Sequence, residues 1–555
     1  MKLSRRDLLI GGAGAMAGLV VTPVPWKLLS DVSIWTQNFP WIPQPAHGPV
    51  VTKHSVCTLC EGGCGLRVRM AANCAVGVAG VSTHPVSKGA LCPLGFAAHQ
   101  LNWHPSRLRE VRHAGRAASW TEAQEAFAKA CGEGPIAIID GRPGRAASSV
   151  FEAFTQKHHG AYHVVLSTES QALAPYAGWS GVPVASLGYD LENTRTVVSF
   201  GAPLLDGWGT PGRFTRLWSE RAAGAADPQL RLIQIEPSLS RTAARAWQWI
   251  PIREGSEAQL AAGLARVLLE EHLVPPAPMP QLPLAEAAAQ TGLTSDAIRE
   301  LASKIVEKRP AVVIAADGNP AIAALNVLLG AVASPGGIVR KRGNVRSHGL
   351  ADSVAGPLRA VLIDSTVPWD FAAPADAEVF RFAAWDGGGN STGWLLPAPG
   401  FLEELTDVPT SPTSALATYA VAQKLAAPPA EVHNAAQFLS QIDPTLPAVE
   451  KVISTRCQEI FRTRHGTVYG ERPLGLTKLD SAGHLEDQLR QGAVWMDDPT
   501  DPGKFRCELK EWPDGRRVSH ITPWAADWVP PVYPSLATKL YQESSLREPP
   551  SGRQV

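Results

Sequence analysis

Three cysteines crowd into one short stretch near the start of the chain, Cys57-Thr-Leu-Cys60-Glu-Gly-Gly-Cys64. Thiols at this C-x2-C-x3-C spacing converge on one point from a tight loop, which suits a metal centre and would strain a disulfide. The two glycines before Cys64 allow the backbone to wrap closely around a cofactor. A fourth ligand must come from farther along the chain, and Cys92, flanked by glycine and proline, is the predicted one.

Four thiolates at these spacings are typical of a 4Fe–4S cluster. A zinc site with four cysteine ligands is the alternative, although zinc sites usually pair two C-x2-C knuckles. A third interpretation is that these cysteines form disulfides or remain free thiols, since disulfides are the default in an exported protein. Cys74 lies in an apolar stretch and is expected to be a buried thiol. The other cysteines are expected to be structural: Cys131, Cys457 and Cys507.

The charge balance limits the classes of function. Lys and Arg number 51 and Asp and Glu number 51, so the formal net charge is zero. A nucleic-acid-binding chain should be basic, so this balance argues against nucleic acid as a partner. The length of 555 residues predicts several domains, at roughly 100–200 residues per domain.

The N-terminus resembles an export signal. Arg5-Arg6 precede an apolar run, Leu8–Val21, that is shorter than the roughly 20 residues of a membrane-spanning helix. An arginine pair before a short apolar region is typical of a twin-arginine signal peptide. Because no Ala-x-Ala cleavage site follows, the segment is either removed elsewhere or kept as an anchor at the membrane surface. The expected location is the periplasmic face of the cytoplasmic membrane.

The cysteine motif and the later segment Lys88-Gly-Ala-Leu-Cys92 together resemble the opening of the complex iron–sulfur molybdoenzymes, the molybdopterin oxidoreductase family. This resemblance implies that Cys57, Cys60, Cys64 and Cys92 bind one 4Fe–4S cluster. It also implies that Lys88 lies between cluster and pterin and relays electrons. Chemistry alone adds that a cation near the cluster favours the reduced, more negative state.

Downstream segments resemble the family's loops around the pterin nucleotide. Strand-like stretches end in polar loops, as at the nucleotide sites of open α/β sheets. The residues that match these loops are Gly201, Glu236, Arg253, Gly255 and Ser256. A later segment, Leu395–Glu403, resembles another family motif.

Several of these loops depart from the family pattern. Gly201-Ala-Pro replaces a Gly-x-Asn, Ser238 replaces an arginine, and Glu254 replaces a proline and adds negative charge. Between positions 164 and 179, where the family offers a Cys, Ser or Asp to the metal, there is no cysteine. The weak candidates there are Ser167, Glu169 and Ser170. The resemblance therefore implies a pterin pocket that is vestigial, and molybdopterin guanine dinucleotide with molybdenum is a doubtful cofactor.

The predicted fold class is α/β. It combines a small iron–sulfur domain with two interleaved parallel-sheet domains, because strands alternate with Ala/Leu-rich helices such as 257–271 and 295–308. The C-terminal barrel of catalytic family members is expected to be missing or replaced by an extended tail. The predicted segments are a signal and extended arm at 1–50, a cluster domain at 51–110, an α/β domain at 111–135 and 310–450, an inserted α/β domain at 136–309, and a Pro/Trp-rich docking tail at 451–555.

The segments Thr22–Trp26, Ser33–Asn38 and Thr538–Arg547, which lie outside the residues described below, resemble a subgroup of the family. This subgroup comprises the molybdopterin-oxidoreductase-like subunits of the menaquinone reductase complex and of alternative complex III. This resemblance implies an electron-transfer subunit of a quinone-linked hetero-oligomer that lacks its own catalytic metal site. The implied partners are a multihaem cytochrome c, a ferredoxin-like iron–sulfur subunit and an integral-membrane quinone-binding subunit. Two alternatives stay open: an active molybdenum or tungsten bis-pterin oxidoreductase acting on a small molecule, and a scaffold whose cluster only organises the fold.

Overall fold

The computed structural model describes residues 4–21, 49–72, 74–165, 167–222, 227–341, 357–364, 377–386, 393–411, 414–428, 430–498 and 504–514. The arm predicted before residue 50 and the last part of the predicted tail therefore lie mostly outside the described residues.

Helices occur along the whole described chain. They are α1 (Arg5–Val21), α2 (Pro93–Ala97), α3 (Trp120–Glu133), α4 (Ala146–Lys157), α5 (Thr168–Ser180), α6 (Pro211–Arg221), α7 (Arg241–Arg245), α8 (Glu257–Glu270), α9 (Leu284–Thr291), α10 (Ser295–Glu307), α11 (Pro320–Leu328), α12 (Ala435–Ile442), α13 (Val449–Thr463) and α14 (Ala482–Arg490), with short 3₁₀ helices at Ala98–Trp103, Val184–Ser186 and Leu476–Lys478.

Strands are short, and most are buried. They are β1 (Val50–Val56), β2 (Gly65–Ala71), β3 (Cys74–Gly80), β4 (Val111–His113), β5 (Arg116–Ala118), β6 (Ile136–Asp140), β7 (Ala161–Val164), β8 (Leu187–Tyr189), β9 (Thr196–Phe200), β10 (Arg231–Ile235), β11 (Gln248–Ile250), β12 (Ala311–Ala315), β13 (Ile338–Arg340), β14 (Ala360–Asp364), β15 (Glu378–Ala383), β16 (Trp394–Pro397), β17 (Thr406–Val408), β18 (Thr418–Ala422), β19 (Thr467–Tyr469), β20 (Pro473–Gly475) and β21 (Val494–Met496).

The cluster domain is built on the antiparallel sheet β1-β2-β3. Leu66, Val68 and Met70 of β2 are buried, whereas Arg67 and Arg69 between them are exposed, as the two-residue period of a half-buried strand requires. The register pairs Val56 of β1 with Gly65 of β2. The whole C-x2-C-x3-C motif is therefore the loop of a β-hairpin.

The first α/β domain contains a seven-stranded sheet in the order β5-β4-β16-β15-β14-β6-β7. Its central strands are parallel, with β14 between β15 and β6, and every residue of β6 and β14 is buried. Strands buried on both faces need helices on both sides, which is why continuous apolar strands go with a parallel sheet. Phe127 of α3 packs edge-on against Phe380 of β15 and Phe438 of α12, which fixes these layers.

The second α/β domain contains a four-stranded parallel sheet in the order β11-β10-β9-β12. Its core is formed by side chains of α8, α9, α10 and α11 packed on the strands. The helices predicted at 257–271 and 295–308 are present at Glu257–Glu270 and Ser295–Glu307. The predicted fold of a cluster domain with two interleaved α/β domains is confirmed.

The predicted boundaries of the inserted domain, 136–309, are wrong at both ends. Strands β6 and β7 pair with the sheet of the first domain, so the insertion begins after Val164. Strand β12 pairs with β9 in the second sheet, so the insertion continues past residue 309. Strand partners more than a hundred residues away decide both boundaries, and the local sequence does not encode them.

The extended tail predicted from residue 451 is also wrong for 451–498. Strands β17, β18, β21, β19 and β20 form a five-stranded antiparallel sheet in that order. Helices α13 and α14 supply Ile453, Cys457, Leu485 and Leu489 to its core. Strands β19, β20 and β21 have three residues each, too few for an alternating pattern to be recognised.

The apolar N-terminal run forms α1, which starts at the arginine pair. Ser4 Oγ accepts a hydrogen bond from the Asp7 backbone N–H at 3.2 Å, an ordinary N-terminal cap. Within the described residues, no helix combines the length and the apolar character needed to span a bilayer.

Candidate iron–sulfur site

The hairpin loop between β1 and β2 holds three of the four predicted ligands. The Cys57 N–H donates to the Cys64 carbonyl at 2.8 Å and closes the loop. Gly63 has a φ of 55°, a left-handed conformation that favours glycine. The fourth predicted ligand, Cys92, lies at the start of α2, where its Sγ accepts from the Gly95 N–H at 3.3 Å.

The four thiols lie close enough together to influence one another electrostatically. Burial raises the pKa of Cys57, Cys60 and Cys64 well above the usual range of a thiol, and the charges of neighbouring cysteines raise these pKa values further. Cys92 acts on all three of the others in this way. Four thiolates in such a site require compensating positive charge, which the irons of a cluster provide.

Glycines keep the space around these sulfurs open. A Cβ at Gly95 would lie 3.6 Å from Cys92 Sγ and 4.0 Å from Cys57 Sγ. A Cβ at Gly212, in the first turn of α6, would lie 3.3 Å from Cys64 Sγ. The N-terminal end of a helix carries partial positive charge, so α6 also favours an anionic group at this position.

Zinc and a 4Fe–4S cluster make different demands on four thiolates. Zinc requires every sulfur at about 2.3 Å from one point. A 4Fe–4S cluster binds each sulfur to a different iron.

Hydrogen-bond donors surround the sulfurs. Cys60 Sγ accepts from the Gly62 N–H at 3.4 Å, and the Ser87 hydroxyl forms a hydrogen bond that lowers the pKa of Cys64 against the larger effect of burial. Ser87 is fully buried, and its hydroxyl also lies 3.1 Å from His84 Nδ1. Donors to cluster sulfurs stabilise the reduced state, so they set the reduction potential.

Lys88 has an exposed side chain and a φ of 45° in the turn before Cys92. It lines a cavity of about 560 Å³ together with His84, Asp190, Arg213 and Tyr469. None of the residues predicted for the pterin loops lines this cavity. The structure thus places Lys88 near the cluster site, and its role as an electron relay stays a prediction.

A buried charged group lies beside the cysteine loop, and it contains one of the weak metal-ligand candidates. Ser167 caps the N-terminus of α5. Its hydroxyl donates to the carboxylate of Glu61, the residue after Cys60, at 2.8 Å. Burial, with the charge of Glu169 added, raises the pKa of Glu61 to about 7. Burial lowers the pKa of Lys341 to about 7, and the charge of Glu61 opposes that shift.

Each weak metal-ligand candidate is engaged within the protein. The Ser170 N–H donates to Ser167 Oγ at 3.3 Å, and a Glu169 carboxylate oxygen accepts from the Gly209 N–H. The part that Glu61 and Lys341 play in this group was not predicted. Glu61 is an acid inside the cysteine motif, which is a usable signal, whereas nothing in the sequence around Lys341 indicates its position.

The residues predicted for the pterin loops do come together at one edge of the second sheet. Gly201 follows β9, Glu236 follows β10, and Arg253, Gly255 and Ser256 follow β11. These strands are adjacent and parallel, so their carboxyl ends meet. This is the edge at which open α/β sheets bind nucleotides.

The polar groups of these loops are engaged within the chain. The Glu236 carboxylate accepts from Gln234 Nε2 at 2.8 Å and from the Ser240 N–H at 3.2 Å. Arg253 Nη1 donates to the Ala289 carbonyl at 2.7 Å, and Ser256 Oγ donates to the Arg253 carbonyl at 2.5 Å. Glu236 and Ser256 are buried, whereas Arg253 is exposed.

Trp208 covers the point where the strand order reverses, between β9 and β12. It is 1% exposed, its Nε1 donates to the carbonyl of Ala316 at 3.3 Å, and its ring packs on Tyr189 and Phe214. Gly201 and Ala316, the residues that follow the two strands, lie against each other. Trp208, Gly201 and Ala316 thus pack together at the crevice beside the carboxyl ends of β9 and β12.

Comparison with known proteins supports the assignment of an iron–sulfur domain at the cysteine motif. Residues 50–102 match the family described as "Molybdopterin oxidoreductase Fe4S4 domain". The chain is 32% identical over 364 residues to the menaquinone reductase molybdopterin-binding-like subunit of Nitratidesulfovibrio vulgaris, covering 61% of this chain and 52% of that protein. It is 23% identical over 431 residues to the molybdopterin-containing subunit of thiosulfate reductase from Salmonella typhimurium, covering 70% of this chain and 54% of that protein. The chain thus spans about half the length of these relatives.

A solved structure shows the same fold. Acetylene hydratase from Pelobacter acetylenicus superposes with a TM-score of 0.59, at 13% identity, over 80% of this chain and 74% of that one. The fold is thus shared with a solved structure, and residues 50–102 match the iron–sulfur domain found in molybdopterin oxidoreductases. By sequence, the chain is a relative of a menaquinone reductase molybdopterin-binding-like subunit and of other molybdopterin oxidoreductases.

Proposed function

We propose that this protein is an electron-transfer subunit of a membrane-associated, quinone-linked redox complex, and that it works without molybdenum. One 4Fe–4S cluster, bound by Cys57, Cys60, Cys64 and Cys92, accepts electrons from one partner and passes them to another. The observation that supports the proposal is the pairing of a buried cluster of thiols with a buried Trp208 at the crevice beside β9 and β12.

A bound 4Fe–4S cluster supplies reversible one-electron transfer. The chain's own residues set the conditions for that transfer. The β1–β2 loop and α2 hold the thiolates, and the backbone N–H groups of Gly62 and Gly95 donate to their sulfurs. Burial of Cys57 and Cys64 excludes water from the sulfurs, and Lys88 adds positive charge that favours the reduced state.

The location and the partners extend this proposal. Arg5-Arg6 at the start of α1 support export by the twin-arginine route to the periplasmic face of the cytoplasmic membrane. Similarity to a menaquinone reductase subunit supports a hetero-oligomer with a multihaem cytochrome c, a ferredoxin-like subunit and an integral-membrane quinone-binding subunit.

Metal analysis of the purified chain, or of the complex that contains it, tests the proposal. We expect about four irons per chain, negligible molybdenum and tungsten, and an axial or rhombic electron paramagnetic resonance signal on one-electron reduction. Zinc or disulfides at the four cysteines would refute the redox assignment. If no electron donor with a reduction potential in or below the quinone range reduced the cluster, a purely structural role would be favoured.

The second candidate is an active molybdenum or tungsten oxidoreductase. Similarity to the molybdopterin-containing subunit of thiosulfate reductase favours it. Stoichiometric molybdenum or tungsten, together with a pterin released on denaturation, would establish this function in place of the first.

A further inference from the structure

The first turn of α6 lies directly against the cysteine loop. A Cβ at Gly212 would lie 3.3 Å from Cys64 Sγ and 3.0 Å from the carbonyl oxygen of Ala90, in the segment that leads into α2. A Cβ at Gly62, inside the loop, would lie 2.8 Å from Cγ2 of Thr210, the residue that precedes α6. A side chain at either glycine would force its neighbours to move. The start of a helix of the second α/β domain therefore contacts both segments that carry the predicted ligands.

The end of α6 that meets the loop is its positive end. The first N–H groups of a helix have no acceptor within the helix, and together they act as a partial positive charge. Pro211 has no N–H, so Gly212 is the first residue of α6 that carries one. The effect weakens within one helical turn, so it depends on how closely α6 approaches the sulfurs. A reduced cluster is more negative than an oxidised one, so a close approach favours reduction.

Two buried side chains hold the residues just before α6. The Gly209 N–H donates to a carboxylate oxygen of Glu169 on α5, a residue that is 2% exposed. Thr210 is fully buried, and its Oγ1 lies 2.9 Å from Ser411 Oγ. Because both contacts are made immediately before the helix, they fix where the first turn of α6 lies relative to the cysteine loop.

The charge of Glu169 acts against the helix. Burial raises the pKa of the Cys60 thiol, and the charges of neighbouring groups, Glu169 among them, add to that shift. A negative charge so close to the sulfurs disfavours the more negative, reduced cluster. Glu169 therefore has two opposite effects on reduction, one through its charge and one through the hydrogen bond that holds the start of α6.

We propose that Glu169 is a positioning residue for electron transfer, which holds the start of α6 against Cys64 and thereby favours the reduced cluster. This proposal rests on the proposed function, because it assumes a redox-active cluster at the four cysteines. Glu169 does not bind iron in this role, since it acts through Gly209 and the first turn of α6. The second α/β domain then takes part in electron transfer by setting how readily the cluster accepts an electron.

Two neutral substitutions separate the hydrogen bond from the charge. Glu169→Gln keeps an oxygen that can accept from the Gly209 N–H, whereas Glu169→Met has a similar length and only a weak acceptor. Both variants lack the charge, so a difference between them reports the hydrogen bond alone. Redox titration of each holoprotein, followed by visible absorption, gives the midpoint potential. We expect the equilibrium constant for one-electron reduction to be lower in Glu169→Met than in Glu169→Gln by about threefold or more.

Gly212→Ala tests the same contact from the side of α6. The added methyl group would lie 3.3 Å from Cys64 Sγ and would push the first turn away from the loop. The equilibrium constant for reduction should therefore fall below the wild-type value by about threefold or more. Gly178→Ala, on α5, is the matched control, because no atom of the described residues lies within 4 Å of its added Cβ. This control should leave the midpoint potential and the electron paramagnetic resonance signal of the reduced cluster unchanged.

The outcomes distinguish this proposal from the proposed function. If the wild-type holoprotein contains no reducible cluster, the proposed function fails. If the wild type titrates normally and Glu169→Gln and Glu169→Met share one midpoint potential, the positioning role of Glu169 fails alone. If Glu169→Met loses its iron, Gly212→Ala decides: a lower midpoint potential supports the proposal, and an unchanged one overturns it.

Discussion

Arg107 and Glu403 form an ion pair whose side chains are both 0% exposed, with 2.5 Å between Nη2 and Oε2. Arg107 Nη1 also donates to the carbonyls of Ala384 at 2.7 Å and Ala398 at 2.9 Å. These carbonyls follow the carboxyl ends of β15 and β16, and the Gly400 N–H donates to Glu403 at 2.6 Å. The pair therefore clamps the end of the cluster domain to the first α/β sheet.

Removing one charge of this pair should destabilise the protein strongly. Burial raises the pKa of Glu403 and lowers the pKa of Arg107, and in each case the charge of the partner opposes the shift. We expect Glu403→Gln to lower the free energy of unfolding by about 3 kcal/mol, since it leaves a buried cation unpaired. Chemical denaturation of the holoprotein measures this loss.

An exposed ion pair provides the control. Lys129 and Glu133 lie 3.7 Å apart on α3, with side chains 77% and 54% exposed. Glu133→Gln should change the free energy of unfolding by less than about 0.5 kcal/mol. If the two substitutions changed the free energy of unfolding equally, the buried Arg107–Glu403 pair would contribute no more to stability than an exposed pair.

Substitution of a cluster ligand should remove iron without removing the fold of the α/β domains. We expect Cys60→Ser to lower iron well below four per chain, to weaken visible absorption, and to make 49–110 sensitive to protease, because metal ligation orders these loops. Cys74→Ser, in the same domain at the start of β3, should retain full iron. Full iron in Cys60→Ser and loss of iron in Cys74→Ser would show that Cys74 is a ligand and Cys60 is not.

The hydroxyl of Ser87 should raise the reduction potential. A hydrogen bond to a thiolate sulfur favours the more negative, reduced cluster. Loss of about 1 kcal/mol of such stabilisation corresponds to roughly 40 mV for one electron. We therefore expect Ser87→Ala to lower the midpoint potential by tens of millivolts in a redox titration. The control Ser82→Ala, at an exposed position, should leave the midpoint potential unchanged. A higher potential in Ser87→Ala would contradict this role.

The sequence predicted those parts of the site whose determinants are local. The cysteine spacing and the glycines beside it specify a tight thiol loop, and the Ala/Leu periodicity specifies α8 and α10. The edge that collects Gly201, Glu236 and Arg253 could also be anticipated, because parallel strands end at the same side of a sheet.

Features that depend on distant partners could not be predicted. The pairing of β6 with β14 and of β9 with β12 decides the domain boundaries, and no local pattern records it. The contact of Trp208 with Ala316 joins loops that are far apart in the chain. The buried partner of Arg107 is farther away still in the chain, although Glu403 lies in a segment that the family resemblance had marked.

Trp208 should be essential for the packing of the second α/β domain. Its ring is buried against Tyr189 and Phe214, so Trp208→Ala would leave a large cavity at the crevice. We expect a loss of about 3–5 kcal/mol in the free energy of unfolding. Iron content should stay unchanged, because Trp208 is not a ligand. A neutral effect on stability would mean that the crevice is not closed by this side chain in solution.

Buried histidines should make the fold sensitive to mild acid. Burial lowers the pKa of His163 on β7 to about 4, and burial likewise lowers the pKa of His84 to about 4. The pKa of a histidine in the unfolded chain is about 6.5, so below that pH the unfolded state binds more protons than the folded state. The stability that each neutral histidine contributes is therefore complete above about pH 6.5 and is lost as the pH falls towards 4. Glu61 acts in the opposite direction, because burial raises its pKa to about 7 and the folded state binds its proton first.

Each histidine should account for about 2 kcal/mol of lost stability between pH 7.5 and pH 5. Denaturation curves of the holoprotein under anaerobic conditions across this range measure the slope. His163→Gln should reduce the loss between pH 7.5 and pH 5 by about 2 kcal/mol, whatever its effect at pH 7.5, since a glutamine cannot take up the proton. The exposed His465→Gln should leave the slope unchanged, and an equal reduction by both variants would mean that buried His163 is not the group that titrates.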